Sequence, residues 1–467
     1  MKNRTQIWTF AIVSLALFMA MLDNLVVVTA LPSIRRALGA SVSDLEWTVN
    51  AYTLAFAVLM MTGAALGDRF GRKRIFILGV TLFTLGSASS ALSSTTLQLE
   101  IARAAQGIGA AFLTPLTLTI LTRVFPPEQR AVVIGLWSGV AGLGLAIGPL
   151  VGGAVVNGLP WNTIFWLNVP VGALVIALGS TKLEESWGDR QPLDLPGLVL
   201  AAGGLSGITF GVIRGNALGW TNTTIIGSLA TGAVLLAAFL AWERSTPTPM
   251  LNLSLFRSAG FSAANASGFM MSAGMFGSIF FLTLYVQQVL GASPLEAGLR
   301  TMPWTGTIMI VAPIAGILAG RFGPRWIVVT GLVLQALALM WIAGIATTTT
   351  PYNALLIPFV IGGMGMGLSF APLAEAVMST VRANQQGQAS GAHNSIRELG
   401  GVFGVAVLGA IFQHLVTSPA HFMDGFRAAL YAGVIVVLVG AVAGIALPRT
   451  QAEQVGAPNA ALAGAEA

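Results

Sequence analysis

The segment Gly63-Ala-Ala-Leu-Gly-Asp-Arg-Phe-Gly-Arg-Lys-Arg74 is a short, basic, glycine-punctuated stretch between two long apolar runs. A relative of it, Ala319-Gly-Arg-Phe-Gly-Pro-Arg-Trp326, stands in the second half of the chain. Arg69-Phe70-Gly71 returns there as Arg321-Phe322-Gly323, each time at the end of an apolar run. Tight turns between helices need glycine for unusual backbone angles. A generic basic loop beside a membrane would explain the charge but not the recurrence. Two copies of one helical unit, with a site at their interface, is how secondary transporters are built.

Composition sets the class. Of 467 residues, 55% are hydrophobic and only 9% charged, with a mean hydropathy of +0.81. A soluble domain carries about 25% charged residues. So little charge cannot cover a polar surface, and the outer solvent must be lipid bilayer. The 56 glycines suit helices packed closely in that medium. There is no cysteine, hence no disulfide, thiolate nucleophile or Cys-ligated metal. The net charge of +6 lies in short runs between apolar stretches, which fits topology signals better than nucleic-acid binding. No phosphate-cradling loop, zinc-protease motif or nucleophile elbow occurs. An enzyme and ATP-driven transport therefore lose support. No metal or cofactor is expected, and an ion gradient remains as the energy source.

Spans of about 20 apolar residues fall at roughly 8–30, 46–66, 74–93, 97–122, 131–156, 163–180, 193–214, 222–241, 261–289, 296–320, 325–346, 353–379, 397–417 and 426–447. No clear small-x-small cleavage site follows the first run, which reads as a span and not a signal peptide. The expected fold is an all-α membrane protein of about fourteen helices, two six-helix bundles with an inserted pair. The expected organisation is 1–180 for the first bundle, 181–260 for the inserted pair and linkers, and 261–447 for the second bundle. A disordered tail is expected over 448–467. Lys2, Arg4, the 67–74 loop, Arg123, Arg130, Lys182, Arg190, Arg244, Arg257, Arg321, Arg325, Arg382 and Arg449 fall on one face if the spans alternate. The opposite face has Arg35 and Arg36 and is otherwise poor in basic residues. The positive-inside rule then puts both termini in the cytoplasm.

Ionisable residues inside spans are functional candidates, because each costs about 2.5–3.5 kcal/mol or more to bury. Asp23 lies in the first span and Arg103 in the fourth. At ~1.5 Å per residue, both sit roughly 10 Å below the same surface. They can pair as a structural lock or compete for one proton or cation. Glu375 ends a long apolar stretch in the twelfth span, as a proton carrier, a substrate group or a residue reaching the inner surface. Burial makes a carboxyl harder to ionise, which suits proton exchange near neutral pH. Asp68 would brace a neighbouring helix end or basic group, with Arg69, Gly71 and Arg72 completing a gate. Glu296 and Arg300 are spaced for a surface pair, Asp194 for a helix start, and Arg214 for snorkelling. His393 reads as a loop histidine. The expected substrate wall comprises Asn24, Tyr52, Asn265, Phe269, Met270, Trp304 and Asn394.

The 63–74 segment resembles the signature loop between helices two and three of the major facilitator superfamily. Leu45-Glu-Trp-Thr-Val-Asn-Ala-Tyr-Thr-Leu-Ala-Phe-Ala57 resembles the second helix of its drug:proton antiporters, and Leu22-Asp-Asn with Ala30-Leu-Pro32 their first. Arg103-Ala-Ala-Gln-Gly-x-Gly109 is similar to their fourth-helix motif, where the arginine is linked to proton transfer. Gly144, Gly148, Pro149, Gly152 and Gly153 resemble the antiporter motif of the fifth helix, found in exporters. A packing face of small residues would look alike. Trp161–Gly172 and Ala389–Glu398 resemble the fourteen-helix branch, although Asn162 and Thr163 replace its usual arginine-aromatic pair. Gly320 stands where the first copy has Asp68, so any acidic gate is one-sided. The resemblance implies a cell-membrane multidrug efflux antiporter, exchanging protons for small hydrophobic, often cationic, drugs or antibiotics. Asp23, Arg103 and Glu375 would be its proton-coupling residues. It is expected to work as a monomer. Export of an endogenous lipid or metabolite, uptake, and a non-transporting receptor or scaffold are the rival readings.

Overall fold

The computed structural model describes residues 2–188, 193–381, 386–416, 418 and 421–448. Arg190, Arg382, Arg449 and the expected tail from 449 onward lie outside the described residues. Among the described residues fourteen helices are long and apolar enough to span a bilayer, and no strand occurs. The first bundle comprises α1 (Lys2–Leu38), α2 (Val42–Phe70), α3 (Arg72–Ala91), α4 (Thr96–Val124), α5 (Pro127–Gly158) and α6 (Thr163–Lys182). Between the bundles come α7 (Leu195–Leu218) and α8 (Thr223–Ser245). The second bundle comprises α9 (Ala259–Val289), α10 (Pro294–Phe322), α11 (Pro324–Ile345), α12 (Tyr352–Ser379), α13 (Gln386–Leu415) and α14 (Phe422–Gly444).

Several helices outrun their apolar cores. The first continues through Pro32 to Leu38, and α13 begins at Gln386 instead of 397. Hydropathy sees only the stretch that lipid would tolerate. Polar turns extend a helix wherever neighbouring helices or water satisfy them. This corrects the expectation for His393, which is a buried residue of α13 with Nδ1 3.3 Å from Asn265 Oδ1.

Local signals set the helix ends. Ser41 caps α2 and exchanges hydrogen bonds with Asp44, and Ser293 does the same with Glu296 at the start of α10. Such capping boxes satisfy otherwise orphaned backbone N–H groups. Glu296 is thus first a cap, and Arg300 acts on it electrostatically while its guanidinium lies 5.5 Å from the Tyr352 ring. Asp194 caps α7 by accepting from the Gly197 N–H at 2.9 Å. Burial pushes its carboxyl up. Hydrogen bonds from Gly197, Trp242 and Met250 outweigh that and hold it below the usual carboxylate range. The two copies of Arg-Phe-Gly form the same device. Gly71 (φ 109°) separates α2 from α3, and Gly323 (φ 79°) separates α10 from α11.

Packing repeats after eight helices. In the first bundle the extensive contacts are α2 on α4, α3 on α4 and α1 on α5. The second has α10 on α12, α11 on α12 and α9 on α13. The bundles meet mainly through α5 on α10 and α2 on α13, pairs that a two-fold exchange of the repeats interchanges. The inserted helices α7 and α8 pack on each other, and α7 lies against both α2 and α13. Exposed Leu85, Val199, Val234, Ile317 and Val442 form an apolar exterior suited to lipid.

Replacing Gly71 by Ala forces an L-residue into its positive φ, a strain of about 1–3 kcal/mol. Gly71→Ala should therefore lower the thermal unfolding temperature of the purified protein. Gly139→Ala, in open space on α5, should not. Equal temperatures for both variants would contradict the role of the Gly71 turn.

Candidate functional site

A polar network occupies the interior of the first bundle. Asp23 on α1 and Arg103 on α4 are almost fully buried, and Arg103 Nη1 donates to Asp23 Oδ2 at 2.5 Å. Asp23 Oδ1 accepts from Gln106 Nε2 at 2.8 Å and from Asn168 Nδ2 at 2.7 Å. Arg103 also donates to Gln106 Oε1 (2.7 Å) and to the Thr48 carbonyl (3.3 Å). Its guanidinium lies 4.3 Å from the Tyr52 ring centre and 5.7 Å from that of Phe165. Asn168 is itself 3.0 Å from Ser87 Oγ on α3. Helices α1, α2, α3, α4 and α6 thus converge on one ion pair.

The pair is stabilised by dense hydrogen bonding in a low dielectric, the condition under which buried charges are tolerated. Both Asp23 oxygens are already engaged. Gln106 and Asn168 were not among the sequence-based candidates. Gln106 stood within the 103–109 motif and Asn168 within the 161–172 segment, but neither resemblance gave it a role of its own.

Glu398 on α13 brings a second carboxyl toward this centre. It is buried, accepts from Arg397 Nη2 at 2.9 Å through Oε1, and approaches Tyr52 closely enough to act on it electrostatically. Arg397 also stacks over Phe370 at 4.5 Å. Glu398 Oε2, the Tyr52 hydroxyl, the Trp304 indole N–H and both side-chain atoms of Asn50 are buried without a protein partner. Unpaired buried polar groups on this scale call for a ligand or water. Between the bundles lies an apolar cavity lined by Leu25, Pro149, Leu282, Trp304 and Phe359, with Thr29 at its wall.

The other sequence candidates are scattered. Glu375 is half-buried near the 323 turn, with an oxygen beside Gly320, and is not brought to Asp23. Asn265 bonds the Phe261 carbonyl, while Phe269 and Met270 pack against α13 and α14. Asn394 approaches Ser390 Oγ at 3.5 Å, and Asn24 is buried in α1. Of the expected wall, Trp304 lines the cavity and Tyr52 underlies Arg103. Arg214 does not snorkel. It pairs with Asp44 at 2.9 Å and ties α7 to α2.

The fifth-helix glycines form a contact strip. A Cβ on Gly144, Gly148 or Gly152 would press on α1, at Met21, Leu25 and Val26 respectively. On an adjacent face, a Cβ on Gly153 would strike the Pro294 carbonyl of α10, and one on Gly298 would strike the Pro149 carbonyl. The bundles are therefore in backbone contact at the face away from the 67–74 loop. Gln287 Nε2 donates to the Thr29 carbonyl (2.8 Å) and Gln413 Nε2 to Glu46 Oε1 (2.8 Å) across the same end. At the 67–74 loop, Asp68 pairs with Arg72 at 2.7 Å, and Glu185 accepts from the Lys73 and Arg74 N–H groups. Arg69 lies over Phe70 at 5.5 Å. Among the described residues these contacts stay within the first bundle and its linker. Glu185 in that role was not legible in the sequence.

Removing Arg103 strands a buried Asp23 charge, and breaking such a pair costs about 3–5 kcal/mol. Arg103→Gln should therefore destabilise the purified protein strongly, and Asp23→Asn with Arg103→Gln should recover most of the loss. Thermal unfolding of the two single variants and the double variant reads the coupling. Strictly additive losses would contradict the buried pair.

Comparison with known proteins places this architecture. Residues 13–280 and 264–465 match the profile of the Major Facilitator Superfamily. The chain is 36% identical over 411 residues to the Multidrug resistance protein Stp of Mycobacterium tuberculosis, covering 88% of this chain and 76% of the relative. It is 34% identical over 410 residues to the Tetracenomycin C resistance and export protein of Streptomyces glaucescens (87% and 76%). It is 36% identical over 439 residues to the Cephamycin export protein CmcT of Amycolatopsis lactamdurans (91% and 90%). Among solved structures, a bacterial homologue of the human lysosomal transporter Spinster, inward-facing and unoccupied, aligns with a TM-score of 0.70 at 17% identity, covering 96% of this chain and 98% of that one. A D-xylose–proton symporter aligns with a TM-score of 0.67 at 16% identity (95% and 98%). The fourteen-helix chain, a multi-pass membrane transporter and not an enzyme, belongs to the Major Facilitator Superfamily.

Proposed function

We propose that this protein is a proton-coupled antiporter that exports small hydrophobic, often cationic, drugs or antibiotics by alternating access. The observation that carries the reading is the buried Asp23–Arg103 pair, held by Gln106 and Asn168 inside the first bundle. A passive scaffold has no reason to bear the burial of these charges, whereas a proton carrier needs a carboxyl whose charge is balanced conditionally. Protonation of Asp23 releases Arg103, and Glu398 approaches Tyr52 from the other bundle as a second acid. The apolar cavity with Trp304 measures only about 30 Å³ in this state, so hydrophobic cargo would be admitted there only as the bundles part. The named relatives in drug resistance and antibiotic export favour efflux over uptake.

Positive-inside topology assigns the 67–74 face to the cytoplasm of a cell inner membrane, with both termini there. The contact between α5 and α10 then seals the outer face, and the chain stands closed toward the outside. Outward opening would part α5 from α10 and let the 67–74 loop close against the second bundle. A single copy carries all the residues invoked, consistent with a working monomer, and the proton gradient replaces any cofactor. Export of a secondary metabolite is a second reading, favoured by the antibiotic-export names among the relatives.

The test is transport in proteoliposomes. With an imposed pH gradient, ethidium should move against its own gradient in wild-type vesicles. Dissipating the pH gradient should stop that movement. Asp23→Asn should fall to the level of protein-free vesicles, while Glu375→Gln should keep most activity because Glu375 lies apart from the centre. Transport indifferent to the pH gradient would contradict the antiport reading.

A further inference from the structure

Glu46 is a carboxyl that neither the central network nor the gate loop uses. It sits near the start of α2, at the face where the bundles are sealed, and is wholly buried. Its Oε1 accepts from Gln413 Nε2 of α13 at 2.8 Å, a hydrogen bond that joins the two bundles. Gln413 Oε1 in turn accepts from Ser43 Oγ at 3.1 Å. Glu46 Oε2 has no partner, and a side chain at Gly409 of α13 would overlap the carboxyl. One turn along the same face, Asn50 is fully buried with both its polar atoms unpaired. No cation contacts the Glu46 carboxyl directly among the described residues.

The charged groups around it do not remove the difficulty. Arg214 of α7 acts on Glu46 electrostatically but is committed to Asp44 at 2.9 Å. Glu100 of α4 is drawn toward the same Arg214, so three carboxyls share one guanidinium. On α13, His414 is exposed beyond Gln413. The inserted helix meets the same seam from outside. Ser43 Oγ donates to the Ile213 carbonyl, and Asn216 donates to the Ala410 carbonyl of α13.

We infer that Glu46 is a second protonation site, in which a proton taken from the outer side holds the α2–α13 seam shut and loss of that proton lets it open. In the closed seam an ionised Glu46 would be a bare charge with one hydrogen bond, whereas the neutral acid leaves only a weak dipole unpaired. Parting α2 from α13 exposes the carboxyl to water, where it ionises. The closed form thus binds more protons than the open form, and the form that binds more protons gains as pH falls. This deepens the antiport reading and rests on it. Acid outside would drive the emptied, outward-open carrier back toward its closed outer face, the step in which an antiporter must return loaded with protons.

The chain has no cysteine, so Ala37→Cys at the end of α1 and Leu415→Cys at the end of α13, both exposed, can carry spin labels across the seam. Pulsed electron resonance then reads short and long distances in the purified full chain between pH 5 and 8.5, with no substrate added. The ratio of closed to open should rise with acid by up to about tenfold per pH unit, the limit for one proton. In Glu46→Gln the seam should stay closed at every pH, in Glu46→Asp the dependence should persist, and in Asp23→Asn it should survive. If Glu46→Gln does not fold, Gln413→Leu serves instead and should enlarge the open population throughout. A Glu46→Gln protein that follows pH as wild type does, or a Gln413→Leu protein with the wild-type distribution, overturns the assignment. Neither result touches the antiport reading, which gradient-driven ethidium transport decides separately.

Discussion

A carboxylate and a guanidinium held together out of water govern the rest of this molecule. Asp23 and Arg103 are each at most 1% exposed, and neither would be stable there alone. Helices α2, α4 and α6 supply what water would otherwise provide: two amides, a backbone carbonyl and the faces of two aromatic rings. Because Asp23, Arg103, Gln106 and Asn168 bond one another, the network rigidifies the first bundle. Under the proposed reading one member takes a proton, and stability and coupling would then reside in one set of contacts.

Duplication sets this bundle against a second one of the same build. The packing pairs of α1–α6 recur in α9–α14, and the contacts between bundles are exchanged by the same two-fold relation. A seam built this way has two equivalent ends that can close in turn. Glycine makes the closed end tight. Gly153 and Gly298 let α5 and α10 touch backbone to backbone, and Gly144, Gly148 and Gly152 let α5 lie on α1. A motif that looks like helix-loosening punctuation is, in this state, a contact strip. The inserted pair is not remote from this either, since α7 is tied to α2 by Arg214 and to α13 by Asn216.

Much of the fold was legible because lipid imposes a simple rule on sequence. Apolar runs gave the fourteen helices, and the repeated Arg-Phe-Gly gave the duplication, since Gly71 and Gly323 share a positive φ. Helix ends were less legible. Polar turns such as 386–396 join a helix only because neighbouring elements satisfy them, which is why His393 was misread as a loop residue. Asp23 and Arg103 stood out as charges inside spans. Their partners did not, because Asn168 and Gln106 become significant only once α1, α4 and α6 converge. Glu46 and Glu398 lie in amphipathic stretches where a carboxylate is unremarkable until packing removes the water. Glu375 stood out for the opposite reason, as an acid beside a long apolar run, yet packing leaves it half-exposed.

The central proposal is that Asp23 alternates between holding a proton and pairing with Arg103 as cargo loads, and proton release on binding measures it most directly. Purified protein in weakly buffered detergent, equilibrated near neutral pH, would be mixed with ethidium while a pH-indicator dye follows the solution. The account predicts that wild-type protein releases protons as the dye binds and that Asp23→Asn binds it with little or no release. Equal release from both proteins, or binding to wild type with none, would contradict the claim.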